Sequence, residues 1–203
     1  MKGYITYVST NTESTKQYEQ SKGSFEKYGH EVCPNEGLTR HSVNESDFPF
    51  IDLPGGRFEA FKKNEPVKYL TKKACLFNNL KFCERVIEQD EPMLFIEQDA
   101  ICISEFVVDF DEYCYMSYEY AFKSPTCLNK PPFNQYKLTG TIGVNDFPTD
   151  YPLRYYRNSI YKGETMTPGT ACYGLTPKGA KKILRAAERG LDQSDFIINS
   201  AVV

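Results

Sequence analysis

Residues 93–103 read MLFIEQDAICI. The apolar run Met93, Leu94, Phe95, Ile96 leads straight into Glu97-Gln98-Asp99, and apolar residues resume at Ala100. A short, continuous apolar run predicts a strand buried on both faces, the usual state of a central strand in an α/β sheet. Pro92 stands just before it, where a missing backbone N–H costs least. Burying an unpaired carboxylate is expensive. An acidic pair at the end of such a strand makes sense where the strand opens into a cleft and the acids meet a cation. In extended chain, residues i and i+2 point the same way, so Glu97 and Asp99 are expected to face one ion while Gln98 points elsewhere. Hard oxygen ligands suit magnesium or manganese, ions that commonly bridge to substrate phosphates. The plainer alternative is a strand-end turn with two solvated acids.

Working upstream, residues 69–89 predict a helix. Leu70, Ala74, Phe77, Leu80, Val86 and Ile87 keep a helical period, with Lys72, Lys73, Lys81 and Arg85 mostly opposite. A helix leading into a buried strand predicts crossover units, with helices covering a sheet. Residues 3–9 predict the first strand. Residues 15–28 predict a helix marked by Tyr18, Phe25 and Tyr28, weakened by Gly23 and stopped at Gly29. Residues 31–34 suit a short second strand. Residues 35–66 read as one long irregular stretch, punctuated by Pro49, Pro54, Gly55, Gly56 and Pro66 and too apolar for a disordered linker. A loop of that length in a compact domain is often functional. Its segment PGGRFEAFKK, at 54–63, sets glycines beside Arg57, Lys62 and Lys63. That is either a phosphate cradle of no established type or a packed surface loop.

Downstream, Asp109-Phe110-Asp111 is a second spaced acid pair that competes for the metal role. Residues 113–120 (YCYMSYEY) and 136–144 (YKLTGTIGV) predict strands, and 123–132 and 146–156 are Pro-containing loops. Arg154-Tyr155-Tyr156-Arg157 combines cations with rings, which suits phosphate plus base or sugar, or equally a surface loop with snorkelling arginines. Residues 169–175 (GTACYGL) predict another strand. Thr176 then offers an N-cap and Pro177 a first helical residue. That helix runs to about Arg189 and stops at Gly190. Asp192 and Asp195 follow, next to Phe196, Ile197 and Ile198.

The chain has 203 residues, enough for one α/β domain with a sizeable core, and 1–203 is read as a single domain. A net charge of −3 and a pI near 5.5 argue against a generally basic nucleic-acid-binding surface, though not against a local basic patch. No apolar run approaches the ~20 residues of a membrane span, and the N-terminus lacks a long apolar signal core. The seven cysteines are odd in number and form no C-x-x-C, which fits free thiols in a reducing cytosol. The expected location is cytoplasmic. Both histidines lie early, which disfavours zinc.

Three separated stretches carry a resemblance. The first is Lys73-Ala74-Cys75 followed by Leu94-Phe95-Ile96-Glu97-Gln98-Asp99-Ala100; the second is residues 169–184, GTACYGLTPKGAKKIL; the third is the acidic turn Leu191-Asp192-Gln193-Ser194-Asp195. In order and spacing these resemble the family-25 glycosyltransferases, which include lipooligosaccharide and collagen galactosyltransferases. The resemblance implies a GT-A-like (Rossmann-like) α/β fold with a mixed central sheet flanked by helices. It implies transfer of a hexosyl or pentosyl group, by an inverting route, from a nucleotide-sugar such as a UDP-sugar to an acceptor hydroxyl, with a manganese or magnesium ion. By that analogy Asp99 and then Glu97 hold the metal and Arg57 and Arg154 contact the donor. Asp195 is the candidate base, with Asp192 in reserve. The acceptor is a glycan or, for a phage-encoded relative working in the host cytoplasm, a hydroxymethylated DNA base. A DNA acceptor would need a basic rim, for which Lys62, Lys63, Lys68, Lys72 and Lys73 or Lys123, Lys130, Arg154 and Arg157 are candidates. Two departures stand out. Gln98 replaces the middle acid of the family's triplet, and Asn78-Asn79 stands where the family has Ser-His. They keep an alternative open: a non-catalytic nucleotide-sugar or glycan binder.

Overall fold

The computed structural model describes residues 1–116, 169–199 and 202–203. Its elements are β1 (Lys2–Tyr7), α1 (Thr12–Glu26), β2 (Val32–Glu36), a 3-10 turn (Glu45–Asp47), α2 (Arg57–Asn64), α3 (Pro66–Gln89), β3 (Met93–Glu97), β4 (Tyr113–Tyr115), β5 (Cys172–Leu175), α4 (Pro177–Glu188) and α5 (Ser194–Ile197). The sheet is open and mixed, in the order β2-β1-β3-β5-β4. β1 is parallel to both β2 and β3, whereas β5 is antiparallel to β3 and to β4. This is the expected α/β, Rossmann-like architecture, with the apolar run of residues 93–96 at its centre.

β3 is buried on both faces, and each face has its own core. On one side Ile5, Leu94, Ile96 and Cys172 pack under Tyr18 and Phe25 of α1. On the other Met93, Phe95, Tyr173 and Leu175 pack under α3, α4 and α5. Tyr173 is the keystone of the larger core. Its ring stacks 5.0 Å from Phe95 and 5.2 Å from Tyr113, and its hydroxyl donates to Asn79 Oδ1 at 2.7 Å.

Local chemistry accounts for most element boundaries. Asn11 caps α1 by accepting from Ser14 N, and Thr176 caps α4 by accepting from Gly179 N, with Pro177 at the first helical position. α3 opens three residues before the sequence expectation because Pro66 is also a first-turn residue, whose missing N–H is one the helix start leaves unpaired anyway. It ends with Asp90 in the left-handed conformation. At 24 residues α3 is about 36 Å long, against about 17 Å for β3. Its N-terminal half therefore overhangs the sheet's carboxyl edge.

Several expectations are corrected. Residues 35–66 are not one irregular loop: they hold the 3-10 turn and α2, which begins at Arg57. The predicted 113–120 strand is described as Tyr113–Tyr115, and that of 169–175 as Cys172–Leu175. The acidic turn after α4 leads directly into α5. The predicted 136–144 strand and the loops at 123–132 and 146–156, Arg154 and Arg157 included, lie outside the described residues. No helix among the described residues is long and apolar enough to cross a membrane.

Candidate functional site

In an open α/β sheet, ligands bind outside the carboxyl ends of the strands, where the chain winds away in opposite directions. Here that point lies between β1, whose crossover leads out to β2, and β3, which lies on β1's other side. A polar row crosses the sheet at this edge. Asn35, Thr6 and Glu97 are in register on β2, β1 and β3. Asn35 Nδ2 donates to Thr6 Oγ1 at 2.9 Å, and Thr170 Oγ1 donates to Glu97 Oε1 at 2.8 Å. Thr6 and Glu97 share the face of Tyr4 and Phe95, so the row belongs to the α3 side.

The acidic triplet does not continue as extended chain. Ala100 N donates to Glu97 O at 3.0 Å, so Gln98 and Asp99 form a turn. The alternation argument for Glu97 and Asp99 therefore fails: Glu97 is the half-buried last residue of β3, and Asp99 is exposed at the turn. Gln98 has its own task. Its Oε1 accepts from Ser14 Oγ at 2.5 Å, and the same hydroxyl accepts from Val8 N at 2.8 Å. The amide latches the turn to the start of α1, which a neutral acceptor does without adding a third charge.

The two asparagines at the family's Ser-His position also have structural work. Asn78 grips the backbone of Leu38, accepting from its N–H at 2.7 Å and donating to its carbonyl at 3.2 Å. This fixes the start of the 37–43 loop at the carboxyl end of β2. Asn79 is buried, donates to Cys75 O and accepts from Tyr173.

Arg57 and Asp192 are brought together at the start of α2. Gly56 precedes that helix and offers no side-chain cap. The carboxylate of Asp192, only 2% exposed, takes its place, accepting the backbone N–H groups of Gln193 and Arg57. Burial pushes its carboxyl up; the two N–H groups and the Arg57 guanidinium pull it back. Asp192 thus serves as an enclosed helix cap. Asp195 falls on α5, its side chain outside the described ones. Nearby, Lys73 is buried rather than part of a basic rim. Its ammonium lies 2.5 Å from Asp52 Oδ1 and over the rings of Phe58, Tyr69 and Phe77. Tyr69 donates to Asp52 at 2.9 Å. Lys62 and Lys68 pair with Glu45 and Glu65. The expected basic cluster of residues 62–73 is therefore not a common face.

The competing pair Asp109 and Asp111 lies elsewhere. Asp109 borders a groove with Met1 and Lys2 at the amino edge of the sheet, and Asp111 pairs with Lys178 at 2.6 Å. Among the described residues no group of three His, Cys, Asp or Glu side chains is assembled to hold a metal ion. Two carboxylates on one turn are too few for an all-protein cage, but enough for a magnesium-type ion that keeps waters and bridges to phosphate. Sequence reading missed Ser14, Thr6, Asn35 and Thr170. Their hydroxyl and amide side chains have no distinguishing local pattern, and only strand register brings them to one edge. Comparisons with known proteins add no relative: no family model matches the chain, and no curated protein or solved structure matches it.

Proposed function

We propose that the chain is a nucleotide-sugar-dependent glycosyltransferase whose donor lies in the crevice beyond β1 and β3. The observation that supports this most is the position of the acidic turn: Glu97-Gln98-Asp99 ends the central strand, at the point where the winding of the sheet reverses. Exposed Asp99 is the first carboxylate available to a divalent ion and Glu97, oriented by Thr170, the second. When bound, such an ion neutralises charge on the departing diphosphate. The Ser14–Gln98 latch holds the turn against the start of α1, so that Asp99 is placed before the donor arrives. In the transfer, the acceptor oxygen bonds to the anomeric carbon, the bond from that carbon to the diphosphate breaks, and the acceptor proton passes to a carboxylate, for which Asp195 is the candidate. The nucleoside diphosphate leaves. The acceptor is a glycan hydroxyl or the hydroxyl of a hydroxymethylated DNA base.

The test is nucleoside diphosphate release from a panel of nucleotide-sugars with manganese or magnesium, with and without hydroxymethylcytosine-containing DNA. Metal-dependent release that Asp99→Ala abolishes is the expected result; near-normal release by that variant removes the site. The engagement of Gln98 by Ser14 favours one second reading, a binder of the same fold that has lost turnover. Such a protein would be thermally stabilised by a nucleotide-sugar and yet release no diphosphate.

A further inference from the structure

α4 carries Lys178, Lys181, Lys182 and Arg185 at spacings of three, one and three residues. These fall on one side of a helix and span about 10 Å along its axis. All four are exposed, while Ala180, Ile183, Ala186 and Ala187 on the other side are fully buried. The cations line a surface groove of about 550 Å³ together with Thr176 and Asp111. The groove is built. A Cβ at Gly179 would overlap the Glu112 carbonyl, so only glycine lets that strand end lie against the helix. The contact brings the Glu112 carboxylate beneath two ammonium groups, at 2.9 Å from Lys178 and 2.6 Å from Lys182, and Asp111 takes Lys178 at 2.6 Å. Lys181 and Arg185 take no ion-pair partner among the described residues. The groove keeps a local positive excess on a chain whose net charge is −3.

We propose that the exposed face of α4 is a docking surface for the phosphate backbone of a nucleic-acid duplex. A line of cations matches a line of phosphates, which on a duplex present one charge per about 1.7 Å of axis. A helix that seats firmly in a membrane interface inserts apolar residues beside its cations, and the apolar side of α4 is committed to the core. The stripe starts at the amino edge of β3, since Leu175 pairs with Met93. Its first lysine stands at the opposite end of the sheet from the acidic turn, and the inference does not rest on the transferase reading.

The experiment is fluorescence anisotropy of a labelled duplex titrated with the full chain at several salt concentrations. Expected is binding that weakens steeply with salt, and a Lys181→Glu/Arg185→Glu variant that binds at least about tenfold more weakly, with a log–log salt slope smaller by about 2. Lys181→Gln/Arg185→Gln serves if the charge reversal alters thermal stability, with a smaller loss of the same sign. Three results would each overturn the proposal: no duplex binding at low salt, binding by both variants equal to that of the parent chain, or binding to anionic vesicles in place of duplex.

Discussion

The buried ionic and aromatic contacts around Tyr173 and Lys73 set the most direct tests at the level of single side chains. Tyr173→Phe removes one oxygen and leaves Asn79 Oδ1 without its donor in a site that water does not reach. The expected loss is about 1–3 kcal/mol in urea denaturation; an unchanged midpoint would show that Asn79 finds another partner. Lys73→Met removes the cation over three rings and leaves Asp52 its Tyr69 hydrogen bond but not its countercharge. Breaking one side of a buried pair costs about 3–5 kcal/mol, and the partial exposure of Asp52 places the expectation at the low end. Adding Asp52→Asn should recover part of the loss; a double variant no better than the single one would refute the pairing argument. Neither residue's role was legible in the chain. Lys73 looks like a surface cation on a helical period because its partner lies 21 residues upstream, in a stretch whose prolines and glycines suggest only loop.

What was legible among the elements follows from how locally each is determined. β3 and α4 were readable because an apolar run and a Thr-Pro start carry their own signal. α2 was not: only Phe58 and Phe61 face the core, Gly56 supplies no cap, and the carboxylate that does comes from Asp192 at the far end of the chain. The same long-range contact makes α2 sensitive to pH. Burial raises the Asp192 carboxyl above its ordinary value of 3.8, so the folded state holds that proton more tightly than the unfolded chain does. The sign follows by linkage: the contribution is fully present below the ordinary value and is lost as pH rises through the raised one. Asp192→Asn cannot titrate. The stability of the parent chain relative to that variant should therefore fall as pH climbs from about 4 towards neutrality. A difference that grows over this window would mean that the N–H groups and Arg57 outweigh burial.

Across the whole molecule, stability is unevenly spread, and the candidate crevice lies on the boundary. β3 is locked between two cores, and the middle of α3 is buried in the larger one. Directly after the acidic turn, residues 100–111 run without regular secondary structure over the α1 side, half-buried and exposed residues alternating. Cys102 N donates to Ser24 Oγ, and Phe106 stacks on His30 at 3.9 Å. Among the described residues, Ala100 and Cys102 are the only backbone donors recorded in this stretch, while Ile101, Ile103 and fully exposed Val107 face outward. Few backbone bonds to the described residues and a thin apolar contact are the marks of a segment that opens before the core does. Hydrogen exchange should therefore be fast over 103–111 and close to the global limit over 93–97. Asp99 sits where these regimes meet, held on one side by β3 and on the other by the Ser14–Gln98 latch. Ser14→Ala should spread fast exchange back into residues 98–102 without reaching the strand. It should also reduce thermal stabilisation by a bound nucleotide-sugar, because the ligand must then order the turn itself. Exchange at 98–102 unchanged in that variant would show that the turn is held by its own backbone, and would leave the latch no part in placing Asp99.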